Sequence, residues 1–264
     1  PVVLYINGEY WGIHNVREKY NEAYFEGNYG VNKSDVNIVD NNSQNSWNIK
    51  AGSADSYNNM IDYLNTHSLT NQANYEYIKT QIDEESFLDY MIALIYLGNN
   101  DWPGNNIRYW KSNTEPYNKW RWAAYDIDHT LKMVSQNWEG TNKSQNTLEL
   151  ATEENCNCNW PNPSWSTLLL RKLLENQTFR NLFIQGMYFQ MNTRFTPSNI
   201  IHVVDSLSNN ISAEIPNHVV RWGGQTVPNP ESWIDPNFES ENKWKENVEV
   251  MRYFAKVRPD TMYN

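Results

Sequence analysis

Two spacings of apolar residues organise this chain. Val2–Ile6 is a β-branched and aromatic run, and residues 9–16 form a second. The Asn7-Gly8 pair between them is the strongest short-range hairpin signal. Asn21 then offers an N-cap for a short helix over 22–26, closed by Gly27. Residues 30–52 are polar and Asn-rich, which predicts a loop with one short strand at 36–39. From residue 53 the period becomes helical. Tyr57, Met60, Ile61 and Leu64 share a face of a helix over 53–65, and further helices are predicted over 72–82 and 83–98. In the last of these, Phe87, Tyr90, Met91, Leu94, Ile95 and Leu97 make a wide apolar face, and Gly98-Asn99-Asn100 stops it. Strands are predicted at 106–111 and 119–127, joined by a turn at 113–118 into a second hairpin. Residues 135–165 follow neither period. A loop so long beside a candidate site is more often functional than not. Helices over 166–175, 177–192, 197–213 and 243–257 complete the pattern. Hairpin, helices, hairpin, helices is the order of an α+β fold with a small β-hairpin sheet and a large helical part. We read it as one domain over 1–264, with a hairpin region at 1–50 and a mainly helical lobe at 51–264.

Composition narrows the function. The chain has 264 residues, 39% of them hydrophobic and 14% aromatic, enough for a sizeable core. The net charge of −10 comes with no basic stripe, which argues against nucleic acid as a partner. No apolar run approaches the ~18 residues of a membrane span. Asn is the commonest residue, at roughly 40 of the 264 and far above ordinary usage. The acidic balance suits a secreted or a cytosolic protein equally, and the Asn excess favours a bacterial protein outside the cytoplasm. The chain begins at Pro1 and runs straight into a strand, so it reads as an excised segment. Cys156 and Cys158 are too close in sequence for good disulfide geometry. Only Glu153 and Glu154 lie near them, a poor metal set, so they read as loop thiols.

Few residues carry recognisable chemistry. Asp101 follows the central apolar helix, on a turn forced by Trp102-Pro103-Gly104. It suits a base, or it caps that turn through its own backbone bonds. Asn106 comes five residues later. Asp126 and Asp128 end a Trp-rich run and, on a strand, would share one face. Two carboxylates so placed repel unless a cation lies between them or one is protonated. An Asp, an Asn and a later Asp in that order occur in protein kinases, as base, metal ligand and Mg²⁺ ligand. The carboxylate pair also fits a glycosidase, although neighbours on one strand flank a glycosidic bond poorly. Arg17 and Glu18 end the first hairpin, where they serve a nucleotide or form a solvated strand end. His129 reads as local structure, and His14, His67, His202 and His218 form no ligand spacing. Dinucleotide, P-loop and nucleophile-elbow motifs are absent.

At these residues the chain resembles a known family. The segment Tyr5-Ile-Asn-Gly-Glu-Tyr-Trp-Gly-Ile-His-Asn-Val-Arg-Glu-Lys19 is similar to the signature hairpin of the CotH family, the spore-coat protein kinases. Asn100-Asp-Trp-Pro-Gly-Asn-Asn106, Trp122-Ala-Ala-Tyr-Asp-Ile-Asp128 and Trp165-Ser-Thr-Leu-Leu-Leu-Arg-Lys-Leu-Leu-Glu175 resemble its later motifs. The resemblance implies a divergent protein-kinase-like fold that transfers the γ-phosphate of ATP to a Ser or Thr of a protein substrate, with Mg²⁺ or Mn²⁺. It implies Asp101 as catalytic residue and Asn106 with Asp126 or Asp128 as metal ligands. Arg17 and Glu18 would lie on the nucleotide side of the cleft. It also implies a secreted or cell-surface bacterial setting and a further N-terminal segment, leaving the N-terminal lobe incomplete here. Where relatives often carry an aromatic after the second Asp, this chain has His129. The alternative is a non-catalytic extracellular module, with Trp11, Trp102, Trp110, Trp160 and Trp165 available to stack on sugars or peptides.

Overall fold

The Asn7-Gly8 turn closes as its residue types demand. Asn7 has φ 53° and Gly8 φ 83°, the pair of positive angles that matches the twist of a tight hairpin. It joins β1 (Val2–Ile6) to β2 (Glu9–His14), with Ile6 opposite Glu9. The second strand stops at His14 rather than reaching Val16. A computed structural model of the chain describes residues 1–41, 47–99, 101–131, 146–154, 162–223 and 240–263. Cys156, Cys158 and Trp160 fall outside them, as does most of the aperiodic segment.

The chain divides into two units. One comprises Pro1–Glu18, Leu131–Gln145 and Gln190–Asn264; the other comprises Lys19–Thr130 and Asn146–Phe189.

The second unit holds the larger sheet. Asn21 caps α1 (Glu22–Tyr29), its side chain accepting from the Tyr24 N–H at 3.0 Å. The helix ends at Gly30, which has φ 69°, and Gly27 lies inside it. Two strands follow where one was expected: β3 (Val36–Asn41) and β4 (Trp47–Ala51). With β5 (Ile107–Ser112) and β6 (Arg121–Ala123) they make an antiparallel sheet in the order β4-β3-β5-β6. Because β3 is interior, residues 36–40 are all buried. β3 is the strand expected at 36–39, running on to Asn41, and β4 is the one the sequence reading left in a loop. Phe25 of α1 stacks on Trp110 of β5, ring centroids 4.1 Å apart, within a core of Val31, Val36 and Ile38.

The helices of this unit begin with α2 (Asp55–Thr66), α3 (Gln72–Gln81) and α4 (Glu84–Leu97). After them come α5 (Thr147–Thr152), α6 (Ser164–Glu175) and α7 (Gln177–Asn192), the unit boundary falling within α7. Helix α5 interrupts the segment expected to be all loop. Central α4 buries Phe87, Tyr90, Met91, Ile92, Leu94, Ile95 and Tyr96. Its first turn is tied to β6, because Ser86 Oγ accepts the Trp122 N–H at 3.1 Å and Asp83 pairs with Arg121. Its last turn ends at Gly98, φ 69°, a left-handed cap.

In the first unit, α8 (Pro197–Ser212) and α10 (Glu241–Tyr263) pack together, with an Arg252–Asp205 ion pair at 2.6 Å. Helix α9 (Ile215–Trp222), which the apolar spacing did not predict, packs on β2. Trp222 stacks on Trp11 at 5.1 Å, and Ile13 N–H donates to His218 Nδ1 at 2.8 Å. None of the described helices is long and apolar enough to cross a membrane.

Candidate active site

The turn after α4 is built by side chains that replace backbone hydrogen bonds. Asn99, 1% exposed, accepts the Asp101 N–H on its Oδ1 at 3.0 Å. Trp102 is wholly buried and donates its indole N–H to the Tyr90 hydroxyl of α4 at 3.1 Å. Burial of a ring this size anchors the turn to the helix. Pro103 and Gly104 are buried behind it. Asp101 is thus held from both sides, and its own side chain turns to the amides that follow. Asn105 Nδ2 donates to Asp101 Oδ2 at 2.9 Å, and Asn106 Nδ2 donates to the same oxygen at 2.7 Å.

Asn106 is the joint of the site. It has φ 54°, a left-handed angle that Asn tolerates better than most residues. Its Nδ2 also donates to the Asp126 carbonyl at 3.3 Å. Both amide hydrogens are then used, and Oδ1 is the atom of that amide left for a cation. The reason Asp126 comes within reach lies in the register. Arg108 pairs with Ala123, so continuing the ladder would put Tyr125 opposite Asn106. Asn106 has already turned away from strand geometry. Strand β6 therefore stops at Ala123 rather than reaching 127, and Asp126 itself takes φ 52°.

This corrects the alternation expected for the acidic pair. Asp126 and Asp128 do not lie on one strand, and the same-face relation that rested on it lapses. The structure brings together Asp101, Asn106 and Asp126. Asp128, exposed two residues on, lies within a short turn in which Thr130 Oγ1 donates to the Ile127 carbonyl at 2.8 Å. Arg17 and Glu18 lie in the other unit, exposed, after β2.

Sequence reasoning missed three contributors. Asn105 and Asn99 are hidden among the many Asn of the chain, though both flank Asp101 closely enough to have been suspected. Asp40 carried no local signal. It becomes visible only once β3 is known to pair with β5, because that register sets it opposite Arg108. Burial first, and then the Asp40 carboxylate, push the Tyr125 hydroxyl up to about 12; Arg108 opposes them, and Asp126 and Asp101 add lesser upward effects. Tyr125 is therefore a neutral donor at physiological pH.

The oxygens of Asp101, Asn106, Asp126 and Asp128 are hard donors, a set that fits Mg²⁺ or Mn²⁺ rather than a soft metal. Among the described residues no three His, Cys, Asp or Glu side chains cluster closely enough to hold an ion by themselves. The aromatic residues suggested for ligand stacking are mostly engaged: Trp102 and Trp110 are 0% and 2% exposed, and Trp11 is stacked on Trp222. Trp165 instead lines a separate open cleft of about 1180 Å³ between α2 and α6, with Ile61, Arg171 and Lys172.

A search of curated proteins finds no significant match. The family model described as CotH kinase protein matches residues 1–262, nearly the full length, and the chain belongs to the CotH kinase protein family.

Proposed function

We propose that the protein is a protein Ser/Thr kinase that transfers the γ-phosphoryl group of ATP to a protein hydroxyl. The reading is supported above all by one observation: a single amide, that of Asn106, bonds both the Asp101 carboxylate five residues before it and the Asp126 carbonyl 20 residues after it. Asp101 is the base. Two amide donors fix its Oδ2, so the carboxylate is oriented before a substrate arrives. It accepts the proton of the acceptor hydroxyl as that oxygen bonds to the γ-phosphorus and the bond to the ADP oxygen breaks. Asn106 Oδ1 and the carboxylates of Asp126 and Asp128 are the groups that would hold a divalent cation. A bound Mg²⁺ or Mn²⁺ supplies neutralisation of charge on the phosphates. Since phosphoryl transfer needs little covalent chemistry from protein, positioning is the main task of these residues.

The test is radiolabel transfer from γ-labelled ATP with Mg²⁺ or Mn²⁺, to the chain itself and to a generic Ser/Thr acceptor. Asp101→Ala should lower the rate at least ~10²-fold, the range for loss of a general base. Transfer equal to wild type refutes the role of Asp101. Calorimetry with ATP and Mg²⁺ against a glycan panel separates this reading from a binding module.

A further inference from the structure

Arg108 sits two residues beyond Asn106 and is used by nothing in the mechanism above. Register places it in a row across three strands, with Asp40 on one side and Ala123 on the other. Asp40 is 7% exposed and grips Arg108 through a fork: Nε to Oδ1 at 2.5 Å and Nη2 to Oδ2 at 2.7 Å. Lys50 stands 3.7 Å from the same carboxylate, more loosely and in solvent. The guanidinium lies 4.1 Å from the Tyr125 ring centroid. Tyr125 is the residue immediately before Asp126, which takes φ 52° just beyond the end of β6.

We propose that Arg108, clamped by Asp40, is a positioning residue that seats Tyr125 and thereby sets the Asp126 turn for cation binding. The inference rests on the phosphotransfer reading. Beyond Ala123 the ladder no longer holds this segment, and the contacts made there include the Asn106 bond to the Asp126 carbonyl and the Arg108–Tyr125 stack. Only a planar guanidinium can fill a carboxylate fork and lie against a ring at once. The bidentate partner also neutralises Arg108. It therefore acts by packing and adds little repulsion toward a cation held by neighbouring oxygens.

The experiment is Tb³⁺ titration, read by sensitised luminescence and by Mn²⁺ competition, with hydrogen exchange of residues 124–130 followed in the same samples. Arg108→Ala, Arg108→Lys and Tyr125→Leu should each weaken Tb³⁺ binding about tenfold and speed exchange in that segment. Tyr125→Phe, which keeps the ring, should restore both. Binding and exchange unchanged in Arg108→Ala or Tyr125→Leu overturn the positioning role. If Arg108→Ala does not fold, Tyr125→Leu and Arg108→Lys decide it. A wild-type chain that binds neither Tb³⁺ nor Mn²⁺ overturns the phosphotransfer reading itself, and this inference with it.

Discussion

Replacing Asn106 separates the forces that hold the candidate site. Its side chain is 8% exposed, bonds Asp101 at 2.7 Å and the Asp126 carbonyl at 3.3 Å, and its backbone is left-handed. Asn106→Ala removes both bonds and leaves a Cβ residue at φ 54°. A hydrogen bond to a charged group contributes about 2 kcal/mol. The left-handed angle costs a further ~1 kcal/mol for Ala relative to Asn. The expected loss is therefore about 3 kcal/mol. Asn106→Gly loses the same bonds without the strain, but its entropy cost of roughly 0.5–1 kcal/mol offsets most of that, so it should be less destabilised than Asn106→Ala by at most about 0.5 kcal/mol. Asn106→Asp keeps the shape but sets two carboxylates against each other. Their repulsion is about 4 kcal/mol at 4 Å and an effective dielectric of 20. One carboxyl then has its folded pKa raised above its unfolded value, so the folded state binds the extra proton. Stability of this variant must rise as pH falls through that raised pKa, and at neutral pH it must rise on adding Mg²⁺. Urea denaturation followed by circular dichroism, at pH 8 and pH 5 and with EDTA or Mg²⁺, reads all four proteins. Asn106→Ala within about 0.5 kcal/mol of wild type refutes the reasoning, as does an Asn106→Asp protein indifferent to both pH and metal.

Three further outcomes follow from other parts of the molecule. Burial first, and then His14, lower the His218 pKa below its ordinary 6.5, with Glu214 opposing. The stability this gives is complete above pH 6.5 and falls as pH drops toward the lowered value; imidazole NMR showing His218 titrating at or above 6.5 contradicts this. Gly52→Ala, at φ 64° with a Cβ driven into the Asn37 amide and the Val36 carbonyl, should cost more than Gly8→Ala, at φ 83° with open space around it. Equal melting temperatures for the two would show that the close approach is irrelevant. Trp102→Phe leaves the buried Tyr90 hydroxyl without its 3.1 Å partner and should cost about 1–3 kcal/mol for that group beyond the lost ring area. A double-mutant cycle with Tyr90→Phe should show coupling, and strict additivity would deny the bond.

The parts legible in the sequence are those whose causes are local. Asn7-Gly8 names its own turn, because few other pairs accept two positive angles in succession. Helix α4 declares itself by an apolar face that a helix buries and a strand does not, and Gly98 marks its end. Asp101 and Asn106 were legible for the same reason, since the turn that unites them lies within five residues. What escaped reading is whatever depends on partners distant in the chain. Strand β3 was legible at 36–39, but β4 at Trp47–Ala51 was not, an edge strand in a polar, Asn-rich stretch that pairs with β3. The Asp126–Asp128 spacing misled for a deeper reason. Period-two alternation predicts a shared face only while the ladder persists, and the ladder persists only while the neighbouring strand does. Here the neighbour fails at Asn106, the residue the site needs at a left-handed angle to reach Asp101. One backbone angle thus ends the strand, releases Asp126 from it and delivers an amide to both acidic residues. A Trp-rich run continuing to 127 as a regular strand would have kept its pattern and lost the site.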